Sequence, residues 1–142
     1  MDMKWLGKYA DHAYALTRIV TGFMFSFHGA QKILGVLAEM QPPVGSQLWI
    51  GGIIELFGGL MVLLGFQTRV PAFLCSGMMA VAYIQFHWKF HLGAALFPAI
   101  NKGELAVFYC LVFLLIACRG GIKWCLDKKD CVGRMGSIGR GN

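Results

Sequence analysis

The side chains that could do chemistry in this chain are few, and most sit where burying them is costly. Arg18, His28 and Lys32 lie in one long apolar stretch and Glu55 in a second. Gln85, His87 and His91 close a third, and Glu104 and Tyr109 belong to a fourth. A charge in hydrocarbon costs roughly 2.5–3.5 kcal/mol on insertion scales. Each group must therefore lie near an interface, pair with a partner or line a polar site. His28 and Lys32, four residues apart, share a helical face, and Arg18 projects within about 80° of it. A histidine or carboxylate beside cations can exchange protons, and the ammonium, amide and phenol groups can donate hydrogen bonds. His87 and His91, also four apart, have a spacing that suits metal on a helix face, with His28 and Glu55 available to complete a set.

The elements that must position these groups are apolar runs at residues 13–34, 48–66, 72–88 and 105–118. A bilayer core of about 30 Å needs about 20 helical residues. Extended through their polar flanks, the runs predict helices at 13–34, 48–66, 70–90 and 102–122. Pro42, Pro43 and Pro98 fall between them, and Pro71 takes a first-turn position. The chain is 57% apolar and 14% charged, against about 45–50% and 25% in soluble domains, and its mean hydropathy is +0.60. The expected fold is all-α, an integral membrane four-helix bundle over residues 1–127 followed by a basic, Gly-rich tail at 128–142. The first run is too long for a signal-peptide core and lacks a small-x-small cleavage site, so it is expected to remain as a helix.

Orientation follows from Lys and Arg. Lys4, Lys8, Arg18, Arg69, Arg119, Lys123, Lys128, Lys129, Arg134 and Arg140 fall on one side, and Lys32, Lys89 and Lys102 on the other. The positive-inside rule puts both termini in the cytoplasm. The net charge of +6 then serves orientation and membrane lipid, and no nucleic-acid partner is expected. This topology raises His28, Lys32, Glu55, Gln85, His87, His91, Glu104 and Tyr109 to one level, the outer half. In the second run Gly51, Gly58 and Gly65 repeat every seven residues, as do Gly52 and Gly59. Small residues mark close helix contact in membranes, so Glu55, between the two stripes, should face protein. A buried carboxylate there needs a cation or a proton, and Lys32, His28 and Arg18 are the available cations. The loop "HLGAALFPAINKGE" is apolar, and is expected in the interface or folded back over the bundle.

The five cysteines form no C-x-x-C pair, and Cys118, Cys125 and Cys131 match no zinc spacing. Disulfides are not expected, because the segment that holds the last two is read as cytoplasmic and reducing. Cys110 reads as a small hydrophobe and His12 as an interfacial residue. Beyond about Asp130 the tail reads as disordered, with contact to anionic lipid an ordinary consequence of its charge.

Taken together, "HGAQKILG" (28–35), "IGGIIELFGGLMVLLGFQTR" (50–69), "INKGELAVFYC" (100–110) and "RGGIKWCLD" (119–127) closely resemble the DoxX family of small bacterial membrane proteins, over roughly residues 15–127. The closing segment departs from the family, where a Gly-rich turn is commonly followed by Ser-x-Asp. The resemblance implies a four-helix bundle in the bacterial inner membrane. It also implies association with oxidoreductase systems, because members resemble the membrane subunit of thiosulfate:quinone oxidoreductase.

Three functions stay open at this point. The first is a quinone site, with His28 and Glu55 in proton exchange and Arg18, Lys32, Gln85, Glu104 and Tyr109 contributing hydrogen bonds or charge. Phe25, Phe27, Phe86 and Trp88 are available to form its apolar slot. Against it stands a buried network of Glu55, Lys32 and Arg18 that only fixes helix register. The second is metal or haem, through His28, His87 and His91. The third is a non-catalytic membrane anchor or assembly subunit for a partner redox protein or a second copy, since no soluble domain, P-loop, dinucleotide fingerprint or C-x-x-C pair accompanies the helices.

Overall fold

The computed structural model describes residues 3–131, and every regular element among them is helical. Four long helices dominate: α1 (Ala10–Leu34), α2 (Gln47–Leu64), α3 (Arg69–Trp88) and α4 (Glu104–Arg119). At 1.5 Å per residue they span about 37, 27, 30 and 24 Å. Gly35 ends α1 and Gly65 ends α2 with φ of 70° and 68°, a left-handed conformation that costs glycine little. Ser46 starts α2, its hydroxyl accepting a hydrogen bond from the Trp49 amide at 3.2 Å.

The fourth helix is shorter than its expected 102–122. Lys102 is left-handed (φ 61°) and the Gly103 amide donates to the Asn101 side chain at 2.8 Å, which closes the preceding turn. At the far end, Tyr14 and Arg69 take up the α4 carbonyls of Ala117, Cys118, Arg119 and Gly120. These donors satisfy the carbonyls that a helix end leaves open, and Gly120, at φ 78°, takes the chain out of the helix.

The tightest neighbours are α1 with α2 and α3 with α4. α2 and α3 touch less, and α1 and α4 least. Glycines explain the first pair. A Cβ on Gly22 would lie 2.5 Å from the Leu63 amide nitrogen and 2.8 Å from the Gly59 oxygen, and one on Gly59 would lie 2.5 Å from the Ser26 nitrogen. One turn-pair along, a Cβ on Gly29 would sit 2.7 Å from the Gly52 oxygen. The two backbones are therefore in direct contact at two levels. The offset stripe serves the other neighbour: a Cβ on Gly58 would meet Cys75 Sγ of α3 at 2.6 Å.

The outside of this packing is apolar. α2 and α3 are long and apolar enough to cross a membrane, yet only 28% and 22% of their most apolar windows are buried. The core helix of a water-soluble protein would be mostly buried. Phe23, Phe57, Phe73, Phe108 and Leu111 all point outward, whereas Arg18, Ser26, Glu55 and Ser76 point inward. An apolar exterior around a partly polar interior fits lipid, not water.

Two segments close the ends. Residues 89–103 fold back on α3: Tyr83 donates to the Leu96 carbonyl at 2.7 Å, and the Asn101 amide donates to the Tyr83 hydroxyl at 3.1 Å and to the Ala95 carbonyl at 2.9 Å. At the other end residues 120–127 form a strap across the foot of α1 and α2. Here the expectation of free cysteines is overturned: Cys125 and Cys131 are joined in a disulfide. A short helical turn, Lys128–Cys131, returns the chain toward Cys125, so six residues of separation suffice. The expected disorder past Asp130 concerns residues 132–142, which lie outside the described residues.

Candidate functional site

Glu55 lies where α2 departs from ordinary α-helix. Residues Ile54–Gly58 adopt a wider π turn, a distortion that recurs at functional sites because it redirects side chains. The glycines on both sides let α1 and α3 approach, and Glu55 is left 6% exposed. Lys32 reaches it from α1, with Nζ 2.6 Å from Glu55 Oε1. Glu55 Oε2 is buried and, among the described residues, accepts no hydrogen bond. A buried carboxylate normally has its acceptors filled, so this oxygen stands out among the described residues.

A cavity of about 280 Å³ adjoins the pair, between α2 and α3. Lys32, Glu55, Gln47 and His87 provide its polar wall, and Met78, Met79, Ala82 and Phe86 provide much of its apolar one. The α3 side includes a second π turn, Tyr83–Trp88. Gln47 donates to Gln85 across the rim, tying α2 to α3. His87 stacks on Tyr83 with ring centres 6.4 Å apart, and its Nδ1 is 3.3 Å from the Asn101 carbonyl.

The structure thus brings Lys32 and Glu55 into contact and places Gln85 at the rim. It does not bring in several expected partners. Arg18 is fully buried, but at the opposite end of α1. Its Nη1 donates to the Val62 and Leu63 carbonyls at 2.5 and 2.9 Å, and its Nη2 to those of Lys123 and Trp124 at 3.0 and 2.8 Å. Fourteen residues of helix separate it from Lys32 by about 21 Å; a shared face is not a shared depth. The Glu55–Lys32–Arg18 network is therefore corrected to a Glu55–Lys32 pair. His28 and Glu104 are exposed, so neither faces Glu55. Tyr109 is buried behind Phe25, with ring centres 5.2 Å apart, and its hydroxyl has no partner among the described residues. It does not line the cavity, although it lies within electrostatic range of Glu55.

Among the described residues no three His, Cys, Asp or Glu side chains are grouped to hold a metal. The set His28, His87 and His91 is not assembled: His28 is exposed on α1, and His91 Nδ1 lies 3.0 Å from the Lys89 carbonyl. Bis-histidine haem through the same residues meets the same obstacle. Sequence reasoning missed Gln47 as a rim residue and left His87 as a secondary choice. The π turns that aim both walls carried no sequence signal.

The DoxX family model matches residues 13–88, which includes all but the first three residues of α1, all of α2 and α3, and every residue lining the cavity. An uncharacterized protein of Haemophilus influenzae is 37% identical over 131 residues, covering 89% of this chain and 97% of its own. The chain belongs to the DoxX family. It is thus a membrane protein, in agreement with its two apolar helices. The likeness to the Haemophilus protein covers 89% of this chain, so it is not confined to the residues the family model matches. No solved structure matches the chain.

Proposed function

We propose that this DoxX protein is a four-helix bundle of the bacterial inner membrane, with both termini in the cytoplasm, and that it is the membrane subunit of an oxidoreductase system, with a quinone site between α2 and α3. The orientation rests on ten Lys and Arg on one side against three on the other. The quinone reading rests on one observation: a buried carboxylate, half paired and half unpaired, on the wall of a largely apolar cavity.

A ring with two carbonyl oxygens fits such a wall. The Lys32 ammonium is a donor already held at cavity depth, and His87 can present a ring nitrogen. Met78, Met79 and Phe86 offer the apolar contact that a ring and its chain need. A bound quinone would supply two-electron, two-proton redox chemistry, with electrons from a partner redox protein. Glu55 Oε2 would hold and pass on a proton, and Lys32 would neutralise Glu55 while it is charged.

A second reading has an observation of its own. Leu37, Met40 and Leu92, in the two loops at the cavity end, are 86–88% exposed. Apolar loops there favour docking of a partner, which makes an anchor or assembly role the alternative. Purification in mild detergent with extraction of bound lipid decides between them. Near-stoichiometric quinone in the wild type, reduced about tenfold in Glu55→Gln, supports the site. No quinone in either protein leaves the anchor.

A further inference from the structure

The disulfide lies on the side that the Lys and Arg distribution assigns to the cytoplasm, where disulfides do not persist as permanent staples; those that form there are usually transient or redox-sensing. Its surroundings resolve this conflict. The strap that carries Cys125 is held without the bond. Arg18 donates to the Lys123 and Trp124 carbonyls, and the Leu126 and Asp127 amides donate to the Leu64 and Gly65 carbonyls at 3.0 and 3.2 Å. Cys125 itself packs where a Cβ on Gly65 or Gly121 would collide with it, at 2.5 Å from its Cβ and 2.7 Å from its Sγ.

Cys131 is also positioned independently. Its amide donates to the Asp127 carbonyl at 3.0 Å, and the Lys129 amide donates to the Asp127 side chain at 2.9 Å. Opening the bond therefore leaves the two sulfurs as neighbours on a backbone fixed by other contacts. Both residues are half-buried and neither belongs to the buried core. The bond closes a short loop, so it constrains the unfolded chain less than a long-range bridge would.

We propose that Cys125 and Cys131 are a reversible dithiol–disulfide pair that exchanges with low-molecular-weight thiols of the cytoplasm. In the opening direction two thiols attack in turn. The first breaks the Cys125–Cys131 bond and forms a mixed disulfide; the second releases it. Two protein thiols and one small-molecule disulfide result, and electrons balance. The closing direction is the reverse, with the small disulfide as oxidant. What changes is the tether on the turn Lys128–Cys131, while the strap stays under α1 and α2. This pair does not depend on the quinone reading.

The test uses the full chain in inverted membrane vesicles, cytoplasmic face outward, incubated with glutathione or with glutathione disulfide. Mass spectrometry then follows the peptide containing both cysteines, two hydrogens lighter when closed and distinguishable from any glutathione adduct. The closed fraction is expected to differ at least about fivefold between the two buffers and to reverse on exchange. Cys118→Ser should leave this swing intact. Cys131→Ser should abolish closure and leave the thermal stability of the purified protein equal to that of the wild type with the bond reduced, because Cys125 keeps its packing. A bond that stays closed in glutathione, never closes in glutathione disulfide, or responds only from the opposite face overturns the proposal.

Discussion

Each end of α1 sets a cation against α2, Arg18 fully buried and Lys32 with a third of its side chain exposed, and the two ends treat it differently. At the foot, Arg18 spends four of the five N–H donors of a guanidinium on four backbone carbonyls, two of them at the end of α2 and two in the strap. Nothing with opposite charge is needed, because helix C-termini carry partial negative charge. At the head, Lys32 meets a real carboxylate, and that carboxylate keeps one oxygen unpaired beside a cavity. The first arrangement joins structure, and almost every donor is used. The second leaves capacity unused at a place with room for a ligand. Buried charge alone does not separate the two ends; unmet hydrogen-bonding capacity beside open volume does, and the proposed site rests on that difference.

The largest expected effect belongs to the foot. Arg18→Met removes four hydrogen bonds from buried carbonyls, and the loss of stability should be about 3 kcal/mol or more, read from the midpoint of unfolding in a denaturing detergent. An unchanged midpoint would erase the contrast between the ends. Next comes the contact between them. Gly59→Ala places a methyl 2.5 Å from the Ser26 nitrogen and should cost about 1–3 kcal/mol by forcing α1 and α2 apart. Gly77→Ala, where a Cβ meets nothing within 4 Å, should be neutral or stabilising by up to about 1 kcal/mol.

At the head the order of stability and function reverses. Glu55→Gln keeps shape and removes charge, so its stability change should stay within about 1 kcal/mol. Retained quinone should nevertheless fall about tenfold, equivalent to about 1.4 kcal/mol of affinity. A large stability loss with unchanged quinone content would make Glu55 a second Arg18. Smallest is Gln85→Ala, which unties the Gln47 contact at the rim. It should change stability by only a few tenths of a kcal/mol, with faster exchange of bound quinone in a wash-out experiment as its signature.

Much of this contrast could be read in the sequence, and its limits are physical. The four helices followed from apolar runs extended through their polar flanks, and Glu55 facing protein followed from the glycine stripes, with Lys32 one of three cations available to it. The matching repeat on α1, Gly22 and Gly29, was equally visible, and it is the repeat that seats Gly52 and Gly59. Arg18 was misplaced because helical angle was read without depth. Its true partners are main-chain carbonyls, which no side-chain pattern reveals. His28 and Glu104 were misjudged for a related reason: residues at the right level can still point away from the bundle. The Cys125–Cys131 bond was excluded on compartment alone, although a chain reversal over six residues was open to it.

The unequal packing also has a mechanical consequence. Backbone contact makes α1 and α2 behave as one stiff strut, and α3 and α4 form the other close pair. Two seams run between the struts, the sparse α1–α4 contact and the α2–α3 seam that holds the cavity. Bilayer tension or a change in lipid thickness would load these seams before it bent either strut, so the cavity's volume should depend on the mechanical state of the surrounding membrane.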